Sequence, residues 1–158
     1  MDAPLTVFHP LPPGGHVDAF VGDPLQWLPA STRPAVPPTY RTELTVGRWS
    51  RPVELHVGGA WRRGHDHWRA LTWSPLGDEG DALPMEALLP RFEGELGLID
   101  GRDGGYLVVT GLVLPPLGTA GVLLERALLH RVGERTVGNL LAEVVERLGE
   151  PAALNGAH

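Results

Sequence analysis

The sequence predicts an α+β domain in which a curved antiparallel sheet of about six strands wraps around one long C-terminal helix, with two short helices after the first strand. Three observations lead there. Residues 118–149 carry Leu124, Leu128, Val132, Val137, Leu140, Leu141, Val144, Val145 and Leu148, mostly in steps of three and four, which places them along one side of a helix. Residues 39–114 show a period of two instead, the pattern of strands with one buried face. No other segment has a comparable helical stripe, so the sheet has to cover the apolar side of the long helix.

Residues 5–11, with Val7 and Phe8, read as an edge strand that Pro12 and Pro13 stop. Val17, Phe20 and Val21 suggest a first short helix. Asp23 as N-cap with Pro24 at the first helical position suggests a second, ending near Leu28. A proline-rich connector spans 29–38, and Trp27 is expected to plug the core beneath the short helices. Tyr40, Thr42, Leu44 and Val46 alternate with Arg41, Glu43 and Thr45, and Val53, Leu55 and Val57 alternate with Glu54 and His56. Gly58 and Gly59 mark a bulge or turn. Trp61 then leads to a hairpin turn around Arg63-Gly64-His65-Asp66, and residues 68–73 form the returning strand. Residues 74–86 read as a solvated acidic loop, followed by a strand with Phe92, Leu96 and Leu98 opposed to Glu93 and Glu95. After a turn at 100–105, the strand at 106–114 is apolar on both faces, so it should be central or covered. Pro115, Pro116 and Gly118 end the sheet and launch the helix. A bend is expected between Gly133 and Gly138, because the apolar centre shifts there and two glycines weaken the helix. Residues 1–151 form a single domain and 152–158 a flexible tail on this reading.

Composition narrows the chemistry. The net charge of −6 and the lack of a basic run argue against nucleic acid as partner. All 13 basic residues are arginine and there is no cysteine, which removes lysine Schiff bases, thiol nucleophiles and cysteine-ligated metals. Neither a signal peptide nor an apolar run long enough to cross a membrane is visible, so a cytoplasmic protein without membrane insertion is expected.

The sharpest polar cluster is His65-Asp66-His67, with His56 nearby. Period two would put both imidazoles on one side of a strand, and the spacing from Gly59 matches the opening of a cupin metal motif. The glutamate such a motif needs is missing, since Leu71 and Thr72 stand there, and a solvent-exposed hairpin turn is the preferred reading. Ser31, Ser50 and Ser74 lie in no nucleophile elbow. Asp78, Glu79, Asp81 and Glu86 lack the alternation of a calcium loop. His130, Arg131 and Glu134 are the polar groups of the mid-helix, and a helical projection leaves His130 in solvent rather than as a buried base. Trp61, Trp68 and Trp73 are explained by packing on the central hairpin. Neither a metal, a cofactor nor a catalytic residue is assigned. Tyr40, Thr42, Tyr106 and Thr110 lie in register with apolar strand neighbours and are expected to point inward.

The run Phe20-Val21-Gly22-Asp23-Pro24-Leu25-Gln26-Trp27-Leu28-Pro29, the strand at 106–114, and Pro-Pro-Leu-Gly running into Leu123-Leu124-Glu125-Arg126-Ala127-Leu128-Leu129-His130-Arg131-Val132 together resemble the helix-grip fold. The resemblance is to START and birch-pollen-allergen-like proteins, the SRPBCC superfamily, in its polyketide cyclase/dehydrase branch. It implies a sheet gripping the C-terminal helix around an apolar cavity for a lipid- or polyketide-like ligand. On that basis Tyr40, Thr42, Phe92, Tyr106, Thr110, Leu124, Leu128 and Val132 are expected to line the cavity. The implied function is non-catalytic binding of a small hydrophobic molecule. The alternatives are a polyketide cyclase or dehydratase, and an interaction module that forms a homodimer without ligand.

Overall fold

The structure is a computed structural model whose described residues are 3–76, 89–99, 105–115 and 126–149. A first strand, β1 (Ala3–Pro10), leads to a short helix, α1 (Val17–Val21), and a 3-10 turn at Pro24–Gln26. Next come β2 (Arg33–Pro34), β3 (Thr39–Val46), β4 (Trp49–Val57), β5 (Trp61–Arg63) and β6 (Asp66–Pro75). β7 (Arg91–Ile99), β8 (Tyr106–Leu114) and α2 (Arg126–Gly149) complete the described chain. The eight strands form one sheet in the order β1-β8-β7-β6-β4-β3-β2, with β5 also paired to β6. Every pairing is antiparallel. This is the predicted α+β architecture of a curved sheet packed on a long C-terminal helix.

Local chemistry explains several joints. The Asp23 carboxylate accepts from the Leu25 N–H at 3.0 Å and Pro24 opens the turn, as the sequence suggests, although the element is a 3-10 turn. β4 and β5 lie end to end along β6, where Val57 pairs with Leu71 and Trp61 with Trp68. The glycine interruption between them is bridged by the Gly58 N–H donating to the Ala70 carbonyl. Gly64 turns the hairpin at φ 65°, a conformation that disfavours side chains. β2 was not legible in the proline-rich connector, because two residues carry no periodicity.

Alternation sorts the sheet into two faces. On the inner face one row runs Tyr40, Leu55, Trp73, Phe92, Val113 and Ala3 across six strands. These residues are buried apart from Tyr40, which is half-buried and packs on the core. α2 is 24 residues long, about 36 Å, and covers this face. Its nearest backbone approaches are to β1, β8 and β3, so it bears on both sides of the sheet and bridges the strands between.

One expectation about α2 needs correction. The helix runs unbroken across Gly133 and Gly138, and its buried positions include Leu129, Gly133, Val137, Leu140, Leu141, Val144 and Leu148. Leu128 and Val132, expected to centre the first half, are only half-buried. The reason is close packing: a Cβ on Gly133 would stand 2.6 Å from Val113 Cγ2 on β8. Gly133 is therefore a point of close contact with the sheet, which favours this flank of the helix turning inward.

Candidate functional site

The candidate site is the part of the core where the middle strands face α2. Its floor is aromatic. Trp73 on β6 and Phe92 on β7 are cross-strand partners and stack with centroids 4.7 Å apart. The Trp73 indole N–H donates to the Pro90 carbonyl at 3.0 Å. Phe92 lies over the paired glycines Gly94 and Gly111, since a Cβ on either would fall within 2.8 Å of its Cζ. One end is closed by the α1 segment, where Phe20 and Trp27 stack at 5.6 Å and are wholly buried.

That segment is tied to the sheet by Arg69, a residue that sequence reasoning missed. Arg69 shares the inner face of β6 with Leu71 and Trp73 and is 5% exposed. Its Nε donates to the Phe20 carbonyl at 3.0 Å, Nη1 to Gly58 at 2.8 Å and Nη2 to Gly22 at 2.7 Å. The guanidinium also lies 6.0 Å from the Phe20 ring centroid and 5.8 Å from that of Trp27. Burial lowers its pKa, partly opposed by the charge interactions with Tyr40 and Asp23. An arginine remains protonated even so. The available signal was its register: Arg69 occupies an apolar slot in an otherwise alternating strand.

The expected cavity-lining residues separate. Tyr40, Thr42 and Phe92 lie on the inner face, and Leu128 and Val132 sit half-buried on α2. Leu124 lies outside the described residues. Tyr106 and Thr110 are on the opposite face of β8: Tyr106 is 50% exposed, and the Thr110 hydroxyl bonds to that of Thr6 at 2.9 Å. They cannot line a space between sheet and helix. Their strand is apolar on both faces, so alternation could not say which set faces in; the inward set is Leu107, Val109 and Val113.

The inner polar groups are largely satisfied by the protein. The Thr42 hydroxyl meets those of Ser31 at 3.1 Å and Thr32 at 2.9 Å, and Thr136 donates to the Val132 carbonyl. The buried indole N–H of Trp27 and Nδ1 of His67 have no partner. Thr42 also borders an open depression of about 420 Å³ at the β2–β3 edge, with Ser31, Thr32, Arg33, Arg41 and Glu43. A second, of about 770 Å³, lies where Ala3 and Pro4 meet Ala127, His130, Arg131 and Glu134. His130 is solvated there and pairs with Glu134 at 3.7 Å. His65 is an exposed turn residue. Among the described residues no three His, Asp or Glu side chains gather as a metal site. The acidic loop expected at 74–86 begins later, since Ser74 and Pro75 end β6 in pairing with Glu54 and Val53, and residues 77–86 and the tail at 152–158 lie outside the described residues.

No family model and no curated protein matches the chain. Among solved structures it is similar to the crystal structure of DynU16, described as a protein in the dynemicin biosynthetic locus, with 16% identity and a TM-score of 0.46. The match covers 94% of this chain and 47% of the other, so the chain spans about half the length of that protein. A similarity at this level bears on neither activity nor ligand.

Proposed function

We propose that the chain binds a small hydrophobic molecule, lipid- or polyketide-like, between the middle strands and α2, without catalysing a reaction on it. This is the role that the helix-grip resemblance implies, with the SRPBCC superfamily as the family reading. The observation that carries it is the stance of the helix. α2 comes nearest the sheet at β1, β8 and β3, while the aromatic floor of β6 and β7 lies beneath its span. A ligand there would meet Trp73, Phe92, Phe20 and Trp27, all buried and apolar apart from their indole N–H groups. The non-catalytic reading is favoured over a cyclase because proton transfer needs a positioned, tuned group. The inward hydroxyl of Thr42 and the guanidinium of Arg69 are both engaged in structural hydrogen bonds.

Native mass spectrometry of the purified full chain, followed by titration with cis-parinaric acid, tests the proposal. The expected result is a co-purified small molecule or saturable one-to-one binding of the probe, weakened when Leu141, buried on α2, is enlarged to Trp. A chain that carries no small molecule and binds the probe without saturation overturns it.

A further inference from the structure

We propose that the depression at the β2–β3 edge binds a phosphate monoester group, held by Arg33, Arg41 and the Ser31 hydroxyl. β2 is two residues long, and one of its two cross-strand pairs sets Arg33 directly opposite Arg41. Like charges in that position repel and destabilise a strand pair. The other residue of β2 is Pro34, which has no N–H to donate and does little to offset the repulsion. Arg41 has carboxylates close along the sheet, Glu54 across on β4 and Glu43 two residues on. Even so, among the described residues neither arginine is ion-paired. Both border the depression of about 420 Å³.

Beside them lies a chain of hydroxyls with a direction. Thr32 donates to Thr42 Oγ1 at 2.9 Å, and Ser31 Oγ lies 3.1 Å from the same atom. Thr42 is buried and has a single hydroxyl proton, which therefore goes to Ser31, the other hydroxyl in reach. Ser31 Oγ also accepts from the Glu43 N–H at 3.3 Å. With Thr42 and Glu43 both donating to it, the exposed Ser31 keeps its own O–H for a further acceptor, and it too lines the depression. Charged side chains blunt exposed sheet edges in general. That role calls for neither a depression nor a hydroxyl chain that ends in one.

Two cations and an oriented donor select the ligand. A phosphate monoester carries close to two negative charges at neutral pH and three acceptor oxygens. Two guanidiniums match that charge, and their forked N–H groups match the oxygens. A monocarboxylate has half the charge and one oxygen fewer. Ala30 and Pro52 add apolar wall for the carbon part of an ester. Glu43 is the acidic residue of the lining; its carboxylate takes the Ser50 hydroxyl at 3.5 Å, and its charge limits the affinity.

The test is titration of the isotope-labelled full chain with inorganic phosphate at constant ionic strength, read from the amide shifts of Ser31, Thr32, Arg33, Arg41 and Glu43. Saturable binding with a dissociation constant of about 1 mM or tighter is expected. Arg33→Gln and Arg41→Gln should each weaken it by at least about tenfold, and Ser31→Ala by about threefold. Glu43→Gln should tighten it by about threefold, a sign that a merely structural role would not produce. All four side chains are exposed, so the far-ultraviolet spectrum should not change. Phosphatidylcholine vesicles containing phosphatidic acid distinguish the source of the group: co-sedimentation that Arg33→Gln abolishes assigns a lipid headgroup, and phosphate binding without co-sedimentation assigns a soluble ester. Shifts that do not saturate by about 20 mM, arginine variants that bind like the parent, a Glu43→Gln variant that binds no tighter, or acetate bound as tightly as phosphate would each overturn the proposal.

Discussion

Replacing Arg69 by methionine should detach the α1 segment from the sheet before the rest of the domain unfolds. The side chain is 5% exposed and donates to the carbonyls of Phe20, Gly22 and Gly58 at 3.0, 2.7 and 2.8 Å. Methionine fills similar space but donates nothing, so three carbonyls lose their charge-assisted bonds. The Phe20 bond is buried and those of Gly22 and Gly58 are part-buried, so one acceptor costs about 1–3 kcal/mol and the other two, which water can reach, about 0.5–1 kcal/mol each, while relief of the buried cation returns part of the sum. A net loss of about 2–4 kcal/mol follows. With a urea slope of about 2 kcal/mol/M, the unfolding midpoint should fall by roughly 1–2 M. Arg69→Lys keeps the charge but lacks the planar fork that reaches three carbonyls, and should recover less than half. Hydrogen exchange supplies the local readout: amides of residues 17–28, including Phe20 and Leu28, should exchange faster while those of β6 to β8 follow global stability. A Met variant that loses under about 1 kcal/mol, with exchange at 17–28 unchanged, would refute the latch.

Two substitutions test the close approaches. Gly133→Ala should destabilise by about 1–3 kcal/mol although alanine favours helices, because its Cβ would stand 2.6 Å from Val113 Cγ2. Gly138→Ala, with nothing within 4 Å, should stabilise by about 0.5–1 kcal/mol, and thermal melts of the pair give the opposite signs. Gly97→Ala should lift the Trp68 ring, whose Cζ3 lies 2.6 Å from the added Cβ, costing about 1–3 kcal/mol. Its tryptophan emission should shift to the red relative to the parent; an unchanged spectrum and melt would show that the ring does not rest on Gly97.

The architecture was legible because its two periods are distinct. Val53, Leu55 and Val57 could only be strand residues, and Val137 to Leu148 only a helical stripe. The Asp23-Pro24 start and the Gly64 turn were readable from local chemistry alone. What failed was face and register wherever the pattern was degenerate. β8 offers apolar residues on both faces, so nothing local placed Tyr106 and Thr110 outside. Leu128 and Leu129 are adjacent and chemically identical, and the contact between Gly133 and Val113 decides that Leu129 turns in. Reading Gly133 as a weak point of the helix missed that a side chain there would meet Val113 on the sheet. Arg69 was passed over because a charge in an apolar slot is legible only once the carbonyls that need it are in place.

Glycine and aromatic residues are coupled on both faces of β7, and the coupling bears on how deep the candidate site can be. Gly97 receives Trp68 on the outer face, while Gly94 and its partner Gly111 receive Phe92 on the inner one. With side chains at those positions the rings would stand up from the sheet. Laid over glycine, each adds only about the thickness of a ring, near 3.5 Å. On the outer face Trp68 lies against Gly97, in the row that runs on to Val108 and Phe8. On the inner face the glycine pair keeps Phe92 low beneath the span of α2, in a stack with Trp73, and preserves depth between sheet and helix. Gly133 lets the helix approach β8 closely at Val113. The height of α2 over the middle strands thus depends on where glycines permit contact and where rings lie down, and apolar composition alone does not determine it.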